Sequence, residues 1–331
     1  MMKEEILERL LQEKDYVSGE ALSQSFGVSR AAIWKSIQAL REQGYPVEAA
    51  TRKGYRLSAA ADVLTKHVIE EKIKQLRLQD QLPFVIYEDT VVSTNLTAKQ
   101  QLEQLSDGQG NHLIAAARQT GGKGRRGRSW LSDHEAGLWF SLLLQPSESP
   151  EIMARATLLT GLAVVRAMTE IWQLPVGIKW PNDLICLSDG KKAGGILSEI
   201  LLEDQSVKGL IIGIGINLNS RHFPDEITDI ATSMQLIKPG QYKRVDVLGS
   251  IVDQFFKLYP HLAHMERWLP DYKKNCLTLG QQVRAISFNG QIIEGTAVDI
   301  DQEGELVISG HNGKTHTVRS GEVSVRGLLG E

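Results

Sequence analysis

Residues 118–130 read Arg-Gln-Thr-Gly-Gly-Lys-Gly-Arg-Arg-Gly-Arg-Ser-Trp, five cations and four glycines with no acid among them. A loop of this kind can bring backbone N–H groups and fixed positive charge around phosphate or carboxylate oxygens. It suits a reaction that forces two anions together, because cations and backbone dipoles stabilise the charge that builds as they meet. Two simpler readings fail on context. Gly122, Gly124 and Gly127 satisfy the dinucleotide spacing G-x-G-x-x-G, and residues 122–129 fall one position short of a phosphate-binding loop, with Arg128 where lysine is required. Both motifs need a helix to open behind the glycines, and the pattern there predicts a strand. A basic loop that binds RNA or stays disordered is the bland alternative.

Four shorter segments could work with the loop. Ser93-Thr94-Asn95 opens a predicted helix and alone reads as an ordinary N-cap. Lys179-Trp180-Pro181-Asn182-Asp183 joins two predicted strands and alone reads as a turn. Lys191-Lys192-Ala193-Gly194-Gly195-Ile196-Leu197 places cations before two glycines and a buried strand. Gly213-Ile214-Gly215-Ile216-Asn217 lets backbone come close to a ligand and ends in an amide. Each is weak by itself, but their order along one chain is informative. His261 and His264 have no third metal ligand nearby and read as surface residues. Cys186 and Cys276, 90 positions apart, form neither a metal pair nor a redox motif and read as buried thiols.

The elements that position these residues fall into three regions of a 331-residue chain, enough for about two or three domains. A composition that is 42% hydrophobic, with a net charge of −3, excludes a disordered chain. The apolar runs GLWFSLLLQPS and GLIIGIGINLNS are shorter than the roughly 20 residues that span a bilayer. Acids interrupt the N-terminal apolar stretches, so no signal peptide is expected and the chain reads as cytoplasmic and soluble, with no membrane partner.

Residues 1–62 show three helical patterns and a glycine-containing hairpin. The first carries Ile6, Leu7, Leu10 and Leu11, the second runs from Gly19 to Phe26, and the third opens at Ser29 as N-cap and reaches about Gln43. This is helix-turn-helix grammar. On the third helix Ile33, Ile37 and Leu40 share a stripe, while Ala31, Lys35, Gln38 and Glu42 face away. Residues 46–57 read as two strands with a basic tip. Between Ser29 and Leu57 six cations face two acids, a local +4 of the sign that phosphate contacts need. Ser29, Arg30, Ala31, Lys35, Gln38, Arg52 and Lys53 are therefore the expected DNA contacts. Ser58-Ala59-Ala60-Ala61-Asp62 reads as a linker.

Residues 63–275 predict a mixed α/β core with strands near 84–87, 113–117, 138–144, 178–185, 196–202 and 210–216. Helices are expected over 150–172 and from 245 to about 257, without regular βαβ alternation. Residues 276–331 show short alternating runs at 282–286, 292–299, 306–309, 316–319 and 323–325. Asn289-Gly290, Glu303-Gly304 and Asn312-Gly313 separate them, the pattern of a small β-barrel.

The succession STN, RQTGGKGRRGRSW, KWPNDL, KKAGGIL and GIGIN, behind a helix-turn-helix and ahead of a small barrel, closely resembles the bifunctional biotin–protein ligases that double as biotin-operon repressors. The resemblance covers essentially the whole chain. It implies an α/β (α+β) multidomain protein: a winged helix-turn-helix, a central mixed-sheet domain like class II aminoacyl-tRNA synthetases and lipoate ligases, and an SH3-like C-terminal barrel. It also implies activation of biotin by ATP and Mg²⁺ to biotinyl-5′-AMP, transfer to a lysine of a biotin carboxyl carrier protein, and operator binding by an adenylate-promoted homodimer. No tightly bound cofactor and no resident metal is implied.

By the same resemblance Ser93, Thr94, Asn95, Gln119, Lys123, Gly124, Arg125 and Lys192 hold biotin. Arg125, Arg126, Arg128, Trp130, Asn182 and Asn217 hold the nucleotide, and Arg125 and Lys192 are the catalytic cations facing carboxylate and α-phosphate. Trp139 and Phe140 read as sheet core, part of whose face could line biotin's apolar tail. Lys123 departs from the family's usual GRGRRGR, a change that matters if a planar fork is needed there and not if the backbone does the work. A lipoate–protein ligase and a repressor with a decayed ligase site are the alternatives; the presence of Arg125, Arg126, Arg128 and Lys192 weighs against decay.

Overall fold

A computed structural model describes every residue except 1, 14, 43–44, 59–61, 106–109, 205, 288–291, 311–312, 320 and 326–331. Gln43 at the expected helix end, the Ala59–61 part of the linker, the Asn289-Gly290 turn and Asn312 lie outside the described residues. The chain forms two compact units, residues 1–68 and 69–331.

In the first unit α1 (Met2–Gln12), α2 (Gly19–Phe26) and α3 (Arg30–Glu42) precede a hairpin of β1 (Val47–Ala50) and β2 (Gly54–Leu57). The 3.6-residue spacing of Ile6, Leu10, Ile33, Ile37 and Leu40 brings them together with Leu22 as a buried core. Ser18 caps α2 through its side chain, and Gly27 ends it in the left-handed conformation (φ 63°) that glycine adopts without strain. Ser29 Oγ accepts from Ala32 N at 3.2 Å, the expected cap of α3. Gly54 (φ 111°) passes so close to Val17 that a Cβ would lie 2.0 Å from its carbonyl oxygen, which lets Val17 pair with Tyr55 beside the hairpin.

The second unit begins in α4 (Lys66–Gln75), and its main sheet comprises β3 (Phe84–Val91), β4 (His112–Gln119), β5 (Leu138–Leu144), β6 (Val176–Lys179), β7 (Asp183–Cys186), β8 (Lys192–Glu203) and β9 (Ser206–Ile216). Their order is β3-β4-β5-β9-β8-β7-β6, with only β3 and β4 parallel. The expected strand over 178–185 is in fact two. Pro181 has no N–H for a ladder, and the chain reverses there, pairing Lys179 with Asp183 across a cis Trp180–Pro181 bond. α5 (Thr94–Gln104) packs Ala98 and Leu102 against Ile114, Leu143 and Ile211.

The expected helix over 150–172 is α6 (Pro150–Ala154) and α7 (Ala156–Arg166), ending in a π-turn at Ala167–Ile171. α7 is buried on nearly all sides, because it lies against strands and against helices that follow. Those are α9 (Arg244–Leu258) and α10 (Leu269–Lys274), which follow the short α8 (Met234–Ile237). The last sheet holds β10 (Gln282–Ser287), β11 (Ile292–Ile300), β12 (Leu306–Gly310), β13 (Thr315–Val318) and β14 (Gly321–Val325), all antiparallel in the order β13-β12-β11-β10-β14. Among the described residues no β13–β14 ladder closes it into the expected barrel. Trp180 ties this sheet to the main one: its backbone N–H donates to Thr278 Oγ1 at 2.9 Å and its indole N–H to Gly304 O at 3.1 Å.

Candidate active site

A cleft of about 710 Å³ opens over the main sheet, and every sequence-predicted ligase residue lies on it: Ser93, Thr94, Asn95, Gln119, Lys123, Gly124, Arg125, Arg126, Arg128, Trp130, Asn182, Lys192 and Asn217. Its two ends differ in chemistry.

One end is neutral and bonded through. Ser93 occupies the N-cap position of α5, but its side chain makes no cap bond. Thr94 N–H donates to Gln119 Oε1 at 2.8 Å, and Gln119 Nε2 donates to Ser132 Oγ at 3.2 Å. Ser141 Oγ lies 2.7 Å from both Thr94 Oγ1 and Asn95 Oδ1. Asn95 Nδ2 donates to Glu199 Oε2 at 2.8 Å and to Leu197 O at 3.2 Å, while Lys99 Nζ donates to Glu199 Oε1 at 2.6 Å. Sequence reasoning missed Ser132, Ser141 and Glu199. The available signal was a hydroxyl and a carboxylate interrupting apolar strands, LWFSLLL and GILSEILL.

The other end is cationic. Lys192 Nζ pairs with Asp183 Oδ1 at 2.7 Å and sits 5.1 Å from the centre of the Trp130 ring. Arg125 Nη1 donates to Asn182 Oδ1 at 3.2 Å, and Asn182 Nδ2 donates to Ile196 O. Burial draws the half-buried Arg125 guanidinium below the ordinary arginine range; Asp183 opposes that and Arg126 adds to it. Arg126 (φ 56°) and Gly127 (φ 76°) are both left-handed, and Arg128 N–H donates to Arg125 O, which makes a type I′ turn. Lys123 pairs with Ser129 through its backbone while its side chain is exposed. No α-helix opens behind the glycines, so neither nucleotide-loop motif has its required context.

Two expectations change. The approach allowed by Gly213 and Gly215 serves protein side chains: a Cβ would lie 2.2 Å from Asn95 Oδ1 at Gly213 and 2.9 Å from Trp130 Nε1 at Gly215. Trp139 and Phe140 are buried core and do not line the cleft; Trp139 packs edge-on beneath Trp130. Its apolar wall comes from Ile196, Leu197 and Ile214, and from Phe223, Ile227 and Ile230 in a segment that carried no motif. Asn217 is buried, and its Nδ2 donates to Thr232 O at 3.0 Å, fastening that segment beside Lys192.

In the first unit Ala31, Lys35, Arg52 and Lys53 are exposed and Gln38 half-buried. Arg30 pairs with Glu20, and Lys53 lies over the Tyr16 ring at 5.9 Å. Trp34, which the sequence reading passed over, is 56% exposed on α3 beside Lys35. Cys186 and Cys276 are buried free thiols. His261 lies near Arg267 and His264 near Glu266.

Three family models match: the HTH domain over 3–56, the Biotin/lipoate A/B protein ligase family over 88–217, and the Biotin protein ligase C terminal domain over 278–326. The Bifunctional ligase/repressor BirA of Bacillus subtilis is 37% identical over 305 residues, covering 90% of this chain and 91% of that protein. Its Escherichia coli counterpart is 28% identical over 96% of this chain and 95% of its own length. The structure of biotin protein ligase from Aquifex aeolicus in complex with biotin and ATP is similar with a TM-score of 0.61 and 33% identity, covering 73% of this chain and 98% of that one. Matching these relatives across nearly their whole lengths, the chain belongs to the bifunctional biotin–protein ligase/repressor family.

Proposed function

We propose that the protein activates biotin with ATP, transfers it to a carrier lysine, and represses biotin genes through its N-terminal helix-turn-helix. The observation that carries the ligase reading is the cleft itself, a neutral hydrogen-bonding end joined to a cationic end in a chain of this family. Thr94, Asn95 and Gln119 match the N–H and C=O groups of a ureido ring. The apolar wall at Ile196, Leu197 and Ile214 suits its aliphatic tail, which leads the carboxylate toward Arg125 and Lys192.

The carboxylate oxygen attacks the α-phosphorus, the P–O bond to pyrophosphate breaks, and biotinyl-5′-AMP forms. Two anions must meet, so Arg125 and Lys192 act by electrostatic stabilisation of the phosphoryl oxygens. Arg126, Arg128, Trp130, Asn182 and Asn217 hold the nucleotide end. Three carboxylates line the cleft, Asp133, Asp183 and Glu226, and Asp183 already pairs with Lys192. This donor set fits Mg²⁺ arriving as part of the ATP complex, held by phosphate oxygens and water. The acceptor lysine amine then attacks the mixed anhydride carbonyl, AMP leaves and the amine loses its proton. The acceptor is a biotin carboxyl carrier protein.

The adenylate is also the corepressor, and it promotes a homodimer that presents two helix-turn-helix units to two half-sites. Domain limits of 1–62, 63–275 and 276–331 and a cytoplasmic location belong to the same proposal. The test is biotin-dependent ATP–pyrophosphate exchange, with lipoate as the competing acid. Exchange with biotin alone is expected; exchange with lipoate alone overturns the biotin assignment. Deleting residues 1–62 is expected to abolish binding to promoter DNA of biotin genes and to leave exchange intact.

A further inference from the structure

We infer that Glu199, which does not line the cleft, sets the hydrogen-bond polarity of its neutral end, leaving the Thr94 hydroxyl as an acceptor for a ligand N–H. The inference rests on the biotin reading above and deepens it. Glu199 forms an ion pair with Lys99 and offers only acceptor oxygens to Asn95. The Asn95 amide must therefore turn its Nδ2 toward Glu199 and the Leu197 carbonyl, which points its Oδ1 at Ser141.

Ser141 has one proton and two oxygens at 2.7 Å. Asn95 Oδ1 cannot donate, so the Ser141 proton goes to it; of the two acceptors then within reach of the Thr94 proton, Ser141 Oγ at 2.7 Å and Gln119 Oε1 at 3.1 Å, the nearer takes it, since two hydroxyl oxygens at 2.7 Å need a proton between them. Gln119 Oε1 still receives the Thr94 backbone N–H at 2.8 Å. The lone pairs of Thr94 Oγ1 then remain for a ligand donor, the ureido N–H of biotin. The links from Asn95 through Ser141 to Thr94 are inside the protein, with Ser141 at 0% and Asn95 at 7% exposure, where water does not compete for the bonds; Glu199, its side chain 30% exposed, is the outer end of the chain. Glu199 is thus a positioning residue, three hydrogen bonds removed from the Thr94 hydroxyl that meets the ligand.

Glu199→Gln tests this, because a glutamine can donate as well as accept and no longer dictates which way Asn95 faces. In ATP–pyrophosphate exchange the KM for biotin is expected to rise about tenfold, the worth of one misdirected buried hydrogen bond, with kcat and the KM for ATP changed less than about twofold. Desthiobiotin, which keeps both ureido N–H groups, should lose the same factor. Ser141→Ala cuts the chain at a different link and should give the same selective rise if the glutamine variant does not fold. The double variant Ser141→Ala with Glu199→Gln should be no worse than the weaker single, the signature of groups acting in one network. An unchanged biotin KM in the folded variants, or equal losses for biotin and ATP, overturns the inference. Failure of the unmodified chain to exchange with biotin overturns the underlying reading instead.

Discussion

The two ends of the cleft are built on opposite plans. At the neutral end Thr94, Asn95 and Gln119 are buried, and each is bonded to another side chain. They stand on α5 and β4, elements anchored in the sheet, so the donors and acceptors are in place before a ligand arrives. At the cationic end Lys123, Arg126 and Arg128 are exposed in the basic loop, while Arg125 bonds to Asn182 and Lys192 pairs with Asp183. The difference follows from the task. Choosing one small molecule among similar ones needs fixed directional bonds, whereas stabilising charge on a departing pyrophosphate needs positive potential, which tolerates looser placement.

The largest separation between the ends should come from Lys192→Met. Exchange is expected to fall about 10²–10³-fold in kcat/KM, the usual loss for one preorganised charge donor, with biotin binding by calorimetry reduced far less. Adding Asp183→Asn should recover thermal stability, since it removes a carboxylate left without Lys192, and should not recover activity. Recovery of activity would mean that the Lys192–Asp183 pair is structural. Next in size is Arg125→Gly, which should release biotinyl-5′-AMP about 10–100-fold faster in a filter assay, because it removes a cation and unties Asn182. An unchanged release rate removes Arg125 from the adenylate site.

A smaller effect is expected from Gly213→Ala at the neutral end. Its Cβ would meet Asn95 Oδ1 at 2.2 Å, so Asn95 must move and the biotin KM should rise about tenfold while the ATP KM holds. Equal changes in both would show that the ends are mechanically one. Gly213 also shows how the site was legible and where it was not. The glycines, cations and amides that line the cleft all stand in motifs visible in the chain. Their purpose was not visible, because the space Gly213 leaves is filled by a side chain 118 residues earlier.

Ser141 and Glu199 were hidden for a related reason. A lone hydroxyl in LWFSLLL signals an interrupted apolar strand but not its partners, and only the β5–β9–β8 order joins it through Asn95 to Glu199. The apolar stripe of α3 and the continuous apolar run of β5 were readable. The reversal at Pro181 was legible as a turn in KWPND even though 178–185 also read as one strand, and the wall at 223–230 lacks both periodicity and motif. The five C-terminal strands were readable, but their order was not: β14 pairs with β10, far back along the chain, rather than with its neighbour β13, a choice that alternation does not encode.

The smallest expected difference concerns pH. Burial lowers the His134 pKa below its ordinary value, against the opposing charge of Asp133. The folded chain therefore binds fewer protons than the unfolded one just below about pH 6.5, the unperturbed histidine value. This contribution to stability is present above that pH and is lost as pH falls through it. His134 packs edge-on against Trp139 and accepts the Trp139 indole N–H on its backbone carbonyl at 3.2 Å; Trp139 in turn supports Trp130. Charging His134 disturbs that stack, which lies under the cationic end and meets the neutral network at one remove, where Ser132, bonded to Gln119, donates to Trp130 O at 3.1 Å. Between pH 7.5 and 5.5 the ATP KM should thus rise more than the biotin KM, and His134→Gln should flatten the ATP dependence. A biotin KM that climbs equally with acid, and is equally flattened by the substitution, would show that the two ends share one support.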